Sequence, residues 1–180
     1  MSSILSLVST IGAAHFSSDE AMTYRYRLSR EWDADLPIVN FIGLNPSTAD
    51  ALRDDPTIRR CIGFARRWGF GKLVMTNLFA YRATDPLALC RAEADVVGPE
   101  NAIFLEESAA EASMVIAAWG AVDGLFRNSV RFALRQTESV RQRLANGELY
   151  AIGFTQRGYP RHPLYVKGDT QPVLWPRGRQ

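Results

Sequence analysis

The side chains able to do chemistry in this sequence fall into four short polar clusters: Asn45-Pro-Ser-Thr48, Thr76-Asn77, Trp119-Gly120 and Arg161-His162. Each cluster directly follows an apolar run or closes a loop after one. Asn45, fixed by Pro46 beside the backbone N–H groups of Ser47 and Thr48, is placed to orient a water or accept a hydrogen bond from a substrate. The competing reading of that stretch is a turn. Asn77, at a strand end, suits either ligand contact or loop bracing. His162 is one of two histidines and lies between Arg161 and Pro163 in a Gly/Pro-rich loop, where a core role is not expected. His15 reads as structural or solvated, and Trp119 equally as packing or pocket wall.

The carboxylates Asp54 and Asp55, before Pro56-Thr57, offer a different chemistry. They could activate water or hold Mg²⁺ with few protein ligands, but Asp before Pro-Thr at a helix start needs no function beyond capping.

These clusters need elements to position them. Pro37 to Leu44 reads as a buried strand that stops near Asn45, since Pro46 cannot donate to a sheet ladder. Leu73 to Leu78, Met114 to Ala118 and Leu149 to Phe154 read as three more strands. Helices are predicted from about Thr57 to Trp68, with Ile58, Cys61, Ile62 and Ala65 on one face, from Pro99 to Ala112, and from Val122 to Leu144. Alternation of this kind argues for a parallel sheet with helices on both faces, so that one rim collects all four clusters. Ala13 to Phe16 and Thr23 to Leu28, flanking Ser17-Ser-Asp-Glu20, read as a hairpin at a sheet edge.

Composition bounds the rest. The chain has 180 residues, 47% hydrophobic and 22% charged, which suits a single soluble domain: an N-terminal hairpin extension (1–36) and an α/β core (37–176). A net charge of +2 gives no field that argues for nucleic acid by itself. All but two of its 21 basic residues are arginines, the exceptions being Lys72 and Lys167, and an Arg-rich genomic bias accounts for that as well as function does. Arg59, Arg60, Arg66 and Arg67 read as a solvated helix face, although Arg59 and Arg60 in the first turn hint at a nearby anion. Cys61 and Cys90 lack metal-site spacing and read as reduced core or helix residues. The segment Ile4 to Ala14 lacks the basic flank of a signal peptide and no stretch suits a bilayer span, so a cytoplasmic protein without membrane partners is expected.

The strand ending in Gly43-Leu-Asn-Pro-Ser47 resembles the first motif of the uracil-DNA glycosylase superfamily, which in its mismatch-specific and single-strand-selective branches is Gly-x-Asn-Pro-Gly. In order, Thr76-Asn-Leu-Phe-Ala-Tyr-Arg82 resembles the base-reading strand, Val115 to Gly120 the strand ending in Leu-Gly, and His162-Pro-Leu164 the His-Pro-Ser motif. The blocks Gly43 to Asp50, Thr76 to Thr84 and Gly158 to Tyr165 resemble more closely the bacterial domain of unknown function 1643. The first resemblance implies a three-layer α/β/α sandwich around a four-stranded, mostly parallel sheet. It also implies that Asn45 holds the attacking water, Asn77 reads the edge of an extruded base, His162 stabilises the departing base and Leu164 fills the vacated stack.

In that reading Tyr81 and Arg82 stack on a base or contact phosphate, while Gly43, Leu44, Pro46, Ser47, Thr48, Trp119, Gly120 and Arg161 complete the substrate site. Cleaving an N-glycosidic bond develops negative charge on the base, and one well-placed donor there is worth roughly 10²–10³ in rate. Two departures stand out: Ser47 replaces the second Gly, and Leu164 replaces the Ser of the last motif. The iron–sulfur cysteines are absent, so no cofactor is expected. The expectation is a nucleobase-recognising protein that hydrolyses an N-glycosidic bond in nucleic acid or a nucleotide. The alternatives are a catalytically silent nucleotide- or nucleic-acid-binding module and a metal-assisted hydrolase using Asp54, Asp55 and His162.

Overall fold

The first strands come from the alternating segment at the N-terminal end. In the structure, a computed structural model that describes residues 10–122, 130–144 and 147–175, β1 (Ile11–Phe16) and β2 (Arg25–Glu31) pair antiparallel as the expected hairpin. The apolar runs then give β3 (Ile38–Gly43), β4 (Lys72–Asn77), β5 (Met114–Ala117) and β6 (Leu149–Ala151). These four pair in parallel, in the order β4-β3-β5-β6. Parallel strands must be covered on both faces, and β3 is buried from Val39 to Gly43 accordingly.

The sheet is larger and more mixed than the four strands expected from the sequence. It is seven-stranded, in the order β1-β2-β4-β3-β5-β6-β7, with antiparallel pairings at both sides of the parallel centre. The hairpin is continuous with this sheet, since β2 pairs β4 from Leu28↔Met75 to Glu31↔Lys72. The last strand, β7 (Val173–Leu174), is two exposed residues in a polar, Pro-containing stretch, which no periodicity reveals.

Three α-helices are described: α1 (Pro56–Arg67), α2 (Asn101–Glu111) and α3 (Val130–Arg143). Ile58, Cys61, Phe64 and Ala65 of α1 pack with Val39, Phe41 and Leu73 on one side of the sheet. Leu105 of α2, with Ala133 and Val140 of α3, packs with Ile42, Val115 and Ala117 on the other. The expected helix start at Val122 falls partly on 123–129, outside the described residues, as do residues 4–9 of the N-terminal apolar segment and Asn146. No described helix is long and apolar enough to cross a membrane. Cys61 is fully buried, which pushes its thiol far above the usual range, whereas Cys90 is exposed at the end of a short 3-10 helix rather than in the core.

Helix α1 shows how local chemistry sets the frame. Asp55 caps it by accepting the Ile58 N–H at 2.8 Å, and Pro56 supplies the first helical residue. Gly69, at φ +84°, turns the chain out. Of the α1 arginines, Arg59, Arg66 and Arg67 are exposed, as a solvated face requires, and Arg60 is partly buried, but the face is not idle. Arg60 and Arg67 donate to the carbonyls of Val166 and Gly168, Trp68 Nε1 donates to Thr170 at 3.1 Å, and Arg66 lies over the Trp32 ring at 4.9 Å. The helix therefore staples the segment that follows the His162 loop.

Candidate functional site

At the C-terminal ends of the parallel strands lies a cleft of about 660 Å³. Gly43, Leu44, Asn45 and Ser47 enter it after β3, Asn77 from the end of β4, Trp119 and Gly120 after β5, and Arg161, His162 and Leu164 after β6. All four polar clusters therefore meet at one rim, where ligands bind in open α/β sheets.

Asn77 is 1% exposed, and neither its Nδ2 nor its Oδ1 has a hydrogen-bond partner among the described residues. A buried amide with both groups unpaired is costly, and such a group calls for an explanation. Its backbone is held firmly. Asn101 of α2 donates to the carbonyls of Asn77 and Leu78 at 3.1 and 3.2 Å, and Gln136 of α3 donates to the Leu78 carbonyl at 2.8 Å. Gly43 is needed beside it, because a Cβ there would stand 2.8 Å from Asn77 Oδ1 and 2.6 Å from Met75 Cε.

His162 is half-buried, and its Nδ1 accepts the Leu164 N–H at 3.3 Å. Neutral imidazole must then carry its proton on Nε2, which makes it a hydrogen-bond donor. Burial lowers its pKa below the ordinary value, and the Asp55 carboxylate, which lines the same cleft, opposes that shift. Gly120 adopts φ +80°, and a Cβ there would lie 3.4 Å from that of His162, so the β5 loop can pass close to the histidine.

Asn45 has a divided role. Its Nδ2 donates to the carbonyls of Pro46 and Ala83 at 3.0 and 2.8 Å, which fixes the amide orientation because both neighbours can only accept. Its nitrogen braces the loop, and Oδ1 is left as an acceptor. Trp119 is 2% exposed, lines the cleft, and tilts against Trp175 with ring centroids 5.6 Å apart. Its indole N–H is buried without an acceptor among the described residues.

Not every expected residue reaches this cleft. Thr48, Tyr81 and Arg82 line a smaller adjoining depression that shares Ser47, Ala83 and Thr84 with the main one, and Pro46 is buried and lines neither. Tyr81 packs edge-on to Tyr24, and Arg82 donates to the Met22 carbonyl at 2.9 Å while lying over Phe16. Asp54 is ion-paired to Arg30 at 2.8 Å, and Asp55 is the helix cap. Among the described residues no three His, Cys, Asp or Glu side chains converge on a point that could hold a metal.

Sequence reasoning missed Arg25, which lines the cleft at 2% exposure. In Tyr24-Arg-Tyr-Arg it looks like an ordinary outward strand charge, and only the packing of the 49–55 loop against β2 buries it. Burial lowers its pKa to about 10, with Asp55 opposing that shift, so it remains a cation at neutral pH. Tyr165, 78% exposed at the cleft edge, was also missed.

Comparison with known families returns one described as a protein of unknown function (DUF1643), matching residues 25–164. The chain belongs to this family. The DUF1643 match begins at Arg25 on β2 and ends at Leu164, and so covers every cleft-lining residue named above except Tyr165. Searches of curated proteins and of solved structures return no match to the chain.

Proposed function

We propose that the cleft recognises a nucleobase and that the protein hydrolyses an N-glycosidic bond, in the manner of the uracil-DNA glycosylase superfamily whose motifs its sequence resembles. The observation that carries this reading is the Asn77 amide, buried, lining the cleft and unpaired at both donor and acceptor. A carboxamide offers one donor beside one acceptor, the complement of the N–H/C=O edge of a uracil-like or hypoxanthine-like base. Placing such an edge there would satisfy two buried groups at once and would penalise any base lacking it.

In this reading the neutral His162 donates from Nε2 to the base oxygen as negative charge builds on the leaving group. Asn45 Oδ1 accepts from the attacking water, whose position is set by the bracing of Nδ2 to Pro46 and Ala83. Leu164, 45% exposed at the mouth, is the group that would fill a vacated stack.

A second reading, base binding without catalysis, is favoured by the same Asn45 geometry, because a side chain half-committed to loop bracing serves a structural need without any water. Incubation with single- and double-stranded oligonucleotides carrying uracil, hypoxanthine, xanthine or a mismatch, followed by alkaline cleavage, separates the two. Strand breaks lost in Asn45→Ala support hydrolysis. Binding that depends on Asn77 without any break supports the silent module. Neither cleavage nor binding removes both.

A further inference from the structure

Arg25 plays no part in the base contacts above, and its surroundings do little to explain its burial. Its described hydrogen bonding is a single donation from Nη1 to the Ala49 carbonyl. Among the described residues Nε is buried without an acceptor, and no carboxylate forms an ion pair with the guanidinium. Of the charges acting on it, Asp55 and Asp50 favour the cation and Arg82 and Arg30 oppose it, and none of them sits in an ion pair with it. Asp55 also faces the cleft, but its carboxylate already accepts the Ile58 N–H. The helix end is thus capped from within, and what calls for a partner is the guanidinium.

A guanidinium only donates, and its planar fork matches paired oxygens on an anion. Ser47, Thr57 and Thr84 add hydroxyl groups to the lining of the same cleft. We propose that Arg25 holds a phosphate of the ligand, so that the cleft reads a base and a phosphate together, a nucleotide unit rather than a nucleoside. This rests on the base-reading cleft described above. The phosphate could belong to a free nucleotide or to a phosphodiester within a strand, and the chemistry at Arg25 is the same for both.

The test compares uridine and inosine with their 5′-monophosphates, and with the dinucleoside phosphates UpU and IpI, by calorimetric titration of the full chain. In the native protein a phosphate should strengthen binding about ten- to hundredfold, the range expected of hydrogen bonds to a charged group. The gain should disappear in Arg25→Gln and shrink in Arg25→Lys, which keeps the charge but loses the fork. A preference for the monophosphate points to free nucleotides, and one for the dinucleoside phosphate to a strand. Equal affinities of nucleoside and nucleotide for the native protein would overturn the proposal without any variant having to fold.

If neither nucleosides nor nucleotides bind, the base-reading cleft fails, and inorganic phosphate then decides the anion site by itself. A saturable shift of the Arg25 Nε–H resonance upholds it, and an unmoved resonance overturns it.

Discussion

Two arginines on β2, Arg25 and Arg30, are buried to nearly the same degree, at 2% and 4% exposure, yet they live in opposite circumstances. Arg30 pairs with Asp54 at 2.8 Å and donates to the carbonyls of Ser29, Asp50 and Arg53 at 2.8, 2.6 and 3.2 Å. It organises the loop that leads from the first polar cluster into α1. The guanidinium of Arg25, at the other end of the strand, makes one hydrogen bond among the described residues. Burial alone does not separate a structural cation from a binding one; what separates them is whether the protein itself satisfies the charge. The same contrast divides the asparagines. Asn101 spends its Nδ2 on two carbonyls of the β4 end and leaves only Oδ1 unpaired, while Asn77, at that end, pairs neither amide atom among the described residues.

The contrast yields four expected outcomes. Arg30→Ala should be the most damaging, lowering stability by about 3 kcal/mol in chemical denaturation, because Asp54 and three carbonyls lose their partner together. Asn101→Ala should cost about 2 kcal/mol, since it leaves the Asn77 and Leu78 carbonyls without its amide. Arg25→Met, by contrast, should change stability by no more than about 1 kcal/mol, because it removes a buried charge that forms no ion pair among the described residues, at the loss of one side-chain hydrogen bond. A loss at Arg25 larger than that at Arg30 would break the comparison. Asn77→Leu sharpens it, as stability should hold or rise slightly while base binding disappears; a marked loss of stability would mean that the amide is satisfied by the fold.

The smallest effect concerns pH. Burial depresses the pKa of His162 in the folded state, so the unfolded chain takes up its proton first as pH falls. The histidine's contribution to stability is then complete above its ordinary value near 6.5 and is lost as pH drops through the lower folded value. Denaturation midpoints measured from pH 7.5 to 5 should fall less steeply in His162→Gln than in the native protein. A steeper fall in the variant would contradict the neutral, Nε2-protonated imidazole.

Much of the rim was legible in the chain, and the reason is local. Asn45, Asn77, Trp119 and His162 each follow an apolar run or close the loop after one, so hydrophobic pattern and breaker residues sufficed to place them. What escaped depended on distant partners. Arg25 is indistinguishable from Arg27 by pattern, yet Arg27 reaches Glu111 of α2 while Arg25 is enclosed by the Ala49 loop. Tyr81 and Arg82, adjacent to the Asn77 strand in sequence, turn aside because Tyr81 bridges to Tyr24 and Arg82 to Met22, contacts supplied by the hairpin. Of the two carboxylates, Asp55 caps α1 as the sequence suggests, whereas Asp54 pairs with Arg30 rather than capping, and only the fold shows that Asp55 also faces the cleft.

The donors on the flank of α1 that reach Val166, Gly168 and Thr170 have a kinetic consequence. Through them, the helix that starts at Asp55 and the chain that leaves His162 form one cooperative unit, whose opening must break several hydrogen bonds together. Amide exchange along 164–170 should therefore slow when the cleft is occupied, even at positions no ligand touches. Conversely, loosening Arg60 or Arg67 should accelerate ligand release more than it slows capture.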